Sequence, residues 1–366
     1  MDYRYADQDG WGKQSLAMAT IRYKGVGISA ISACVPKNVS RNSELGYLIP
    51  EEEIDKTINS IGIKEKRYAD ADVTASDLCF KAAEKLIEDS QIDRDSIDMV
   101  LFLSQLPDYR VPATAPILQH RLGLPSTTAA MDLSLGCSGW VYALSTAMAY
   151  ASMDGIDRVL LLVGETFSKF VNRMDKVDAP LYGDAGTATL VEKKDNDFET
   201  VFMLFSDGSG EDAVKIKSGG GRYKTTAENL IEHKEKDGSI LSDNEVYMNG
   251  MDVFNFVMRA VPRSIRELCA VSGIELDSVG HLILHQANKF MTDFIAKRIK
   301  YPIERVPYCL DRYGNTSSSS IPLTISSELS LQSLSDAIVA GFGAGLSWAA
   351  AHISLADCSV SPVIEY

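Results

Sequence analysis

The sequence contains no uninterrupted apolar run of the roughly 18 residues that a membrane-spanning helix needs, and residues 1–17 are too polar and too acidic for a secretory leader. Those two absences point to a cytoplasmic protein without a membrane segment. Basic charge is short as well: 36 Lys and Arg stand against 50 Asp and Glu, a formal charge of −14. A nucleic-acid partner is therefore not expected, because neutralising a phosphate backbone needs a basic surface. Six cysteines, Cys34, Cys79, Cys137, Cys269, Cys309 and Cys358, show no paired short spacing. That excludes a zinc ribbon and a disulfide framework and leaves reduced thiols. His120, His233, His281 and His352 have no carboxylate or thiol at ligand spacing, so no metal is expected.

What is present is core-forming material. The 366 residues are 45% hydrophobic and 23% charged, enough for one large domain or two similar halves. Amphipathic and apolar runs alternate: helical over 76–90, strand over 99–103, helical over 114–122, strand over 129–133, helical over 137–153, strand over 158–163. The second half repeats the rhythm: helical 253–271, strand 281–284, helical 292–299, strand 306–309, helical 316–329, strand 337–339. Such alternation predicts an α/β fold.

The repetition reaches individual residues. Ile92-Asp-Arg-Asp95-Ser-Ile-Asp-Met-Val-Leu-Phe102 is similar to Ile274-Glu-Leu-Asp277-Ser-Val-Gly-His-Leu-Ile-Leu284, at an offset of 277 − 95 = 182 residues. We read two pseudo-symmetric halves, 20–195 and 196–366, behind an N-terminal extension over 1–19. The first convincing strand spans 21–31. A Gly-, Lys- and Glu-rich stretch between Asp207 and Met248 is either a lid or a surface insertion.

Three segments carry chemistry. Cys137 follows a strand-like run and opens a small-residue helix, where free N–H groups and the helix dipole favour thiolate over thiol. His285-Gln-Ala-Asn288 closes the apolar run 282–284, and Asn315 opens another helix in Tyr313-Gly-Asn315-Thr-Ser-Ser-Ser-Ser320. A neutral imidazole N–H and a carboxamide N–H can both point at one carbonyl oxygen without opposing a developing enolate. Gly341-Phe-Gly-Ala-Gly345 lets backbone approach closely enough for an N–H to face a second oxyanion. Taken singly, a helix-start cysteine, a strand-end histidine and an Asn after Gly are commonly structural.

Together these segments resemble the β-ketoacyl-acyl-carrier-protein synthase III branch of the thiolase superfamily, over about residues 20–352. Asp132-Leu-Ser-Leu-Gly-Cys137-Ser-Gly-Trp-Val-Tyr-Ala-Leu144 resembles its nucleophile segment and Tyr182-Gly-Asp-Ala-Gly-Thr-Ala188 its core turn. Ser206-Asp-Gly-Ser209, His285-Gln-Ala-Asn288, Gly314-Asn-Thr-Ser317 and Gly341–Gly345 complete the set. The resemblance implies a five-layered αβαβα thiolase fold, a homodimer, and decarboxylating Claisen condensation of an acyl thioester with malonyl-carrier. It implies Cys137 as nucleophile, the N–H groups of Cys137 and Ala344 as oxyanion hole, and His285 and Asn315 as donors to the extender. No metal or redox cofactor is implied, since coenzyme A or phosphopantetheine thioesters are the substrates. The partner implied is an acyl carrier protein, docked on Arg259, Arg263, Lys297 and Arg298, with acyl-CoA or acyl-carrier as donor. A degradative thiolase is expected to carry a second cysteine in the Gly341–Gly345 loop, and an elongating synthase a second His at Asn315; neither stands here.

Departures from the pattern bear on the substrate. Lys56 and Ser60 occupy the places of a Trp and an Arg that contact coenzyme A, so carrier-bound donors are expected to be favoured. Val111, at the acyl pocket, replaces a larger Phe, so a primer longer or more branched than acetyl is expected to fit. Asn255 and Phe290 stand where basic docking residues are usual. Two alternatives remain open to such a chain: an acyltransferase moving the group from Cys137 to an alcohol or amine, and a non-catalytic partner subunit. Retention of Cys137, His285 and Asn315 weighs against both.

Overall fold

Strand residues alternate between two buried faces, which is what forces the layers. In the strand Met99–Leu103, Met99, Leu101 and Leu103 face one core while Val100 and Phe102 face another. Arg158–Glu165 repeats this with Val159, Leu161 and Val163 against Leu160 and Leu162. Side chains alternate across a strand, so a strand apolar on both faces is covered on both. The computed structural model describes residues 19–332 and 334–366; residues 1–18, nearly all of the expected extension, lie outside the described residues.

Two sheets result. The larger has seven strands in the order Ser359–Val360, Val26–Val35, Ala185–Lys193, Arg158–Glu165, Met99–Leu103, Ala129–Leu133, with Ile364–Glu365 also paired to Val26–Val35. The smaller has five, in the order Thr20–Tyr23, Thr200–Ser206, Ser347–Ser354, Asp336–Gly343, His281–Leu284. Met99–Leu103 is parallel to Arg158–Glu165, which is antiparallel to Ala185–Lys193. His281–Leu284 is likewise parallel to Asp336–Gly343, which is antiparallel to Ser347–Ser354. The first residues of the two corresponding strands, Met99 and His281, lie 281 − 99 = 182 positions apart.

Helices Gly139–Ala151 and Ser320–Glu328 share one core with the inner faces of both sheets: Trp140, Leu144, Ile321 and Ile325 pack with Leu101 and Val163 on one side and Ile283 and Val339 on the other. Ala75–Asp89 and Thr114–Arg121 cover the outer face of the large sheet. Gly250–Ser272 and Lys289–Ile299 cover that of the small one. The order is therefore helix, sheet, helix, sheet, helix. Gly139–Ala151 is apolar on nearly every side because it has a sheet on each flank.

Two expected strands differ. The run 306–309 forms none, because Pro307 has no N–H to give a ladder and Cys309 caps the short helix Leu310–Tyr313. The first expected strand divides at Gly25, whose φ of +69° turns the chain from the small sheet into the large one. The stretch between Asp207 and Met248 is resolved as a roof: Val214–Ile216 pairs antiparallel with Val246–Met248, and both pack on Leu181 and Tyr182.

Trp140 is fully buried at the centre of the middle layer and donates from Nε1 to Thr189 Oγ1 at 3.1 Å. Trp140→Ala should cost about 3–5 kcal/mol in urea unfolding. Trp140→Phe, which keeps most of the ring, should cost less than half of that; equal losses would contradict this packing.

Candidate active site

Three of the four catalytic-type residues of the sequence emerge at carboxyl ends of strands, where α/β sheets leave an opening. Cys137 follows Ala129–Leu133, His285 follows His281–Leu284, and Ala344 follows Asp336–Gly343. Asn315 comes from the turn before the second central helix. The two central helices begin 320 − 139 = 181 residues apart, and their N-termini converge on the same place.

A cavity of about 330 Å³ opens there, lined by Cys137, His285, Asn315 and Ala344 together. Leu181, Tyr182, Val214 and Met248 form its roof, and Phe254 and Phe290 stand in its wall, their rings stacked at 5.6 Å. No Asp, Glu, Lys or Arg is among the lining residues. The site is uncharged and its polar groups are few.

Close backbone approach makes this possible. A Cβ at Gly343 would lie 2.7 Å from Cys137 Sγ, and one at Gly341 would lie 2.8 Å from Ser138 Cα. Only glycine lets the strand end cross the helix start at this separation.

Burial pushes the Cys137 thiol above the ordinary cysteine value, while the Ser317 hydroxyl, 3.8 Å away, and the backbone N–H groups of Ala344 and Cys137 pull it back. The helix start was expected to favour thiolate. Desolvation wins because the helix proper begins at Gly139, whose N–H is already taken by the Gly136 carbonyl at 2.6 Å. The balance favours thiol over thiolate.

His285 is buried, with Nδ1 2.7 Å from Ser320 Oγ and the ring edge-on to Phe342. Burial lowers its pKa to about 3, with the Ser317 backbone opposing, so the imidazole is neutral. The Nδ1 contact leaves Nε2 for the cavity. Asn315 is held by its own backbone, which bonds Leu181 and Gly183, and its Oδ1 accepts the Ser317 N–H at 2.9 Å. A backbone N–H can only donate, so this contact assigns Oδ1 and leaves Nδ2 as the free donor.

Other sequence-singled residues lie elsewhere. Val111 is 85% exposed and does not line the cavity. Arg259 and Arg263 lie on Gly250–Ser272, Lys297 and Arg298 on Lys289–Ile299, all on the surface; Arg263 pairs with Glu267. Lys56 is exposed on Glu51–Ile61, whereas Ser60 reaches the cavity. Sequence reasoning did not single out Ser317 and Ser320. Their signal was the run of four serines after Asn315, which reads as a turn until its hydroxyls are seen to be buried. Among the described residues, no group of three or more His, Cys, Asp or Glu could hold a metal ion, and no helix is long and apolar enough to cross a membrane.

Residues 131–210 match the 3-oxoacyl-(acyl-carrier-protein) synthase III family, and residues 269–355 match the C-terminal region of that family. The chain is 31% identical to a β-ketoacyl-(acyl-carrier-protein) synthase III of Rhodopirellula baltica over 90% of its own length and 98% of the relative's. It is 31% identical to a putative 3-oxoacyl-(acyl-carrier-protein) synthase 3 of Campylobacter jejuni, over 94% and 98%. The crystal structure of a 3-oxoacyl-(acyl-carrier-protein) synthase from Burkholderia xenovorans superimposes with a TM-score of 0.89 at 36% identity, covering 96% of this chain and 99% of that one.

Because the His285 pKa is depressed, the ring should bind no proton as pH falls from 8 to 5. NMR of the imidazole C–H signals should show His285 unshifted over that range, and a titration near the ordinary value of about 6.5 would contradict the geometry.

Proposed function

The chain belongs to the 3-oxoacyl-(acyl-carrier-protein) synthase III family, and from that premise we propose which residues carry its reaction. It is an acyl-transferring condensing enzyme, joining an acyl thioester to malonyl-carrier with loss of carbon dioxide to give 3-oxoacyl-carrier. In our reading Cys137 Sγ attacks the acyl carbon. The sulfur–carbon bond forms as the carrier's own breaks, and the thiol proton leaves with the released carrier thiol. The N–H groups of Cys137 and Ala344 receive the oxyanion. Malonyl-carrier then binds with its thioester oxygen between His285 Nε2 and Asn315 Nδ2. The carboxylate departs as carbon dioxide, the enolate attacks the acyl-cysteine, and Cys137 leaves as thiolate and regains a proton.

One observation carries this assignment: His285 Nδ1 lies against Ser320 Oγ and Asn315 Oδ1 accepts the Ser317 N–H, and both residues line the cavity of Cys137; with the Ser320 hydroxyl donating to Nδ1, the neutral donors that remain are His285 Nε2–H and Asn315 Nδ2–H. An uncharged, desolvated pocket strengthens such donors, each worth about 10²–10³ in rate. A positive donor is not needed to stabilise the enolate, and a negative group would oppose it. Coenzyme A or phosphopantetheine supplies the thiol, and no further cofactor enters.

We place Arg259, Arg263, Lys297 and Arg298 at the docking face of an acidic carrier, since their helices also supply Phe254 and Phe290 to the cavity wall. We also propose a cytoplasmic homodimer. Ala129–Leu133 is an edge strand, paired only on its Met99–Leu103 side among the described residues. Val111 lies in the loop between Met99–Leu103 and Thr114–Arg121, exposed in the single chain. A second copy would bury both, and Val111 would then border the partner's acyl pocket.

Cys137→Ala should abolish the acyl adduct seen by intact mass. Asn315→Ala should leave adduct formation within about threefold and slow condensation about 100-fold or more; parallel loss of both steps would contradict the separate roles. Sedimentation should give the mass of two chains, and Val111→Phe should shorten the longest primer accepted. A monomer, or an unchanged chain-length profile, would refute the proposed dimer pocket.

A further inference from the structure

Glu165 is the last residue of the strand Arg158–Glu165, fully buried, and has no part in the chemistry described above. Its carboxylate collects three donors. Oε2 accepts Ser104 Oγ–H at 3.0 Å; Oε1 accepts the Gln105 N–H at 3.0 Å and Ser318 Oγ–H at 3.2 Å. Ser104 and Gln105 follow Met99–Leu103 on the sheet that leads to Cys137. Ser318 lies across the molecule, in the turn between Asn315 and Ser320.

That turn is where the donor geometry is decided. Asn315 Oδ1 is fixed by the Ser317 N–H, His285 Nδ1 by Ser320 Oγ, and Ser317 Oγ faces the Cys137 sulfur. Ser317 also has a φ of +51°, a conformation that non-glycine residues adopt only when their surroundings impose it. Gln105, the other neighbour, lies against Gly136: a Cβ there would meet Gln105 Oε1 at 2.8 Å. One carboxyl group thus touches the segment beside the nucleophile and the turn that carries Asn315 and, through Ser320, holds His285.

Resting on the condensation reading above, we propose that Glu165 is a positioning residue for the second half-reaction. By holding Ser318 against Ser104 and Gln105, it sets where Asn315 Nδ2 and His285 Nε2 stand relative to the acyl-cysteine. Cys137 acylation depends on the N–H groups of Cys137 and Ala344, which Glu165 does not touch. The two steps therefore differ in their need for it.

The arrangement is costly for stability alone. Burial pushes the Glu165 carboxyl up to about 8, its three hydrogen bonds lower it, and the nearby Asp184 raises it further. An isolated buried acid with only neutral donors is not a stabilising device. In its ionised form it would also raise Cys137, Cys79 and Tyr182.

The test is a single-turnover experiment on the full chain. Wild type, Glu165→Ala, Glu165→Gln and Ser318→Ala are loaded with an acyl thioester, followed by intact mass, then mixed with malonyl-carrier. Glu165→Ala should acylate within about fivefold of wild type and condense about 100-fold more slowly, the effect of an ångström-scale misplacement. Its KM for malonyl-carrier should change little. Glu165→Gln, whose amide oxygen can still accept from Gln105 and Ser318, should recover to within about tenfold. Ser318→Ala removes only the contact across to the donor turn and should slow condensation while sparing acylation. Equal losses in both steps, no rescue by Gln, or normal condensation in Ser318→Ala would overturn the proposal. Should Glu165→Ala fail to fold, Ser318→Ala and Glu165→Gln decide it. A wild type that acylates but never condenses would instead remove the reading on which it rests.

Discussion

Two helices have to lie side by side between two sheets, with their N-termini facing the same point. That constraint governs the rest of the structure. It demands small residues along Gly139–Ala151, and glycines at 341 and 343 where a strand end crosses a helix start. The cavity is the space left over, and its walls are the strand ends and turns that feed the two helices.

Burying a site so deeply decides its electrostatics. Desolvation raises Cys137, lowers His285 and leaves no charged side chain on the cavity wall. A thiol, a neutral imidazole and a carboxamide remain, each oriented by a hydroxyl or a backbone group rather than by an ion pair. Such a site cannot stabilise charge by countercharge. It does so with preorganised N–H groups that need no reorientation when an oxyanion or enolate forms. Cys137, Ala344, His285 and Asn315 line one cavity, and under the proposed roles two successive reactions would use two different pairs of donors in one enclosure.

Much of this was legible in the sequence because it is periodic or punctuated. The 182-residue offset, the apolar strands before Cys137 and His285, and the glycine run at 341–345 each mark a repeating element. Val306–Cys309 misled because apolarity outweighed the missing N–H of Pro307. The strand beginning near Ile21 misled because a single glycine at 25 sends the chain into a different sheet. What stayed hidden was long-range and polar: Ser320 beneath His285, Ser317 beneath Asn315, and Glu165 joined to Ser318 over 153 positions. A run of serines has no periodicity to show which hydroxyl will meet which partner. The roof over the cavity was ambiguous for a similar reason, since the few apolar residues that anchor it, Val214, Ile216 and Met248, are scattered through a polar stretch.

In the proposed reaction, one cavity lined from both halves of the chain performs transfer to sulfur and then carbon–carbon bond formation. The direct measurement is a stoichiometric chase of wild-type protein: form the acyl adduct, map it by peptide mass, and add malonyl-carrier while collecting carbon dioxide. One acyl group should sit on the Cys137 peptide and be discharged with one equivalent of carbon dioxide into one 3-oxoacyl-carrier. An adduct on another cysteine, or discharge of acyl-Cys137 to water, alcohol or amine without carbon dioxide, would contradict it.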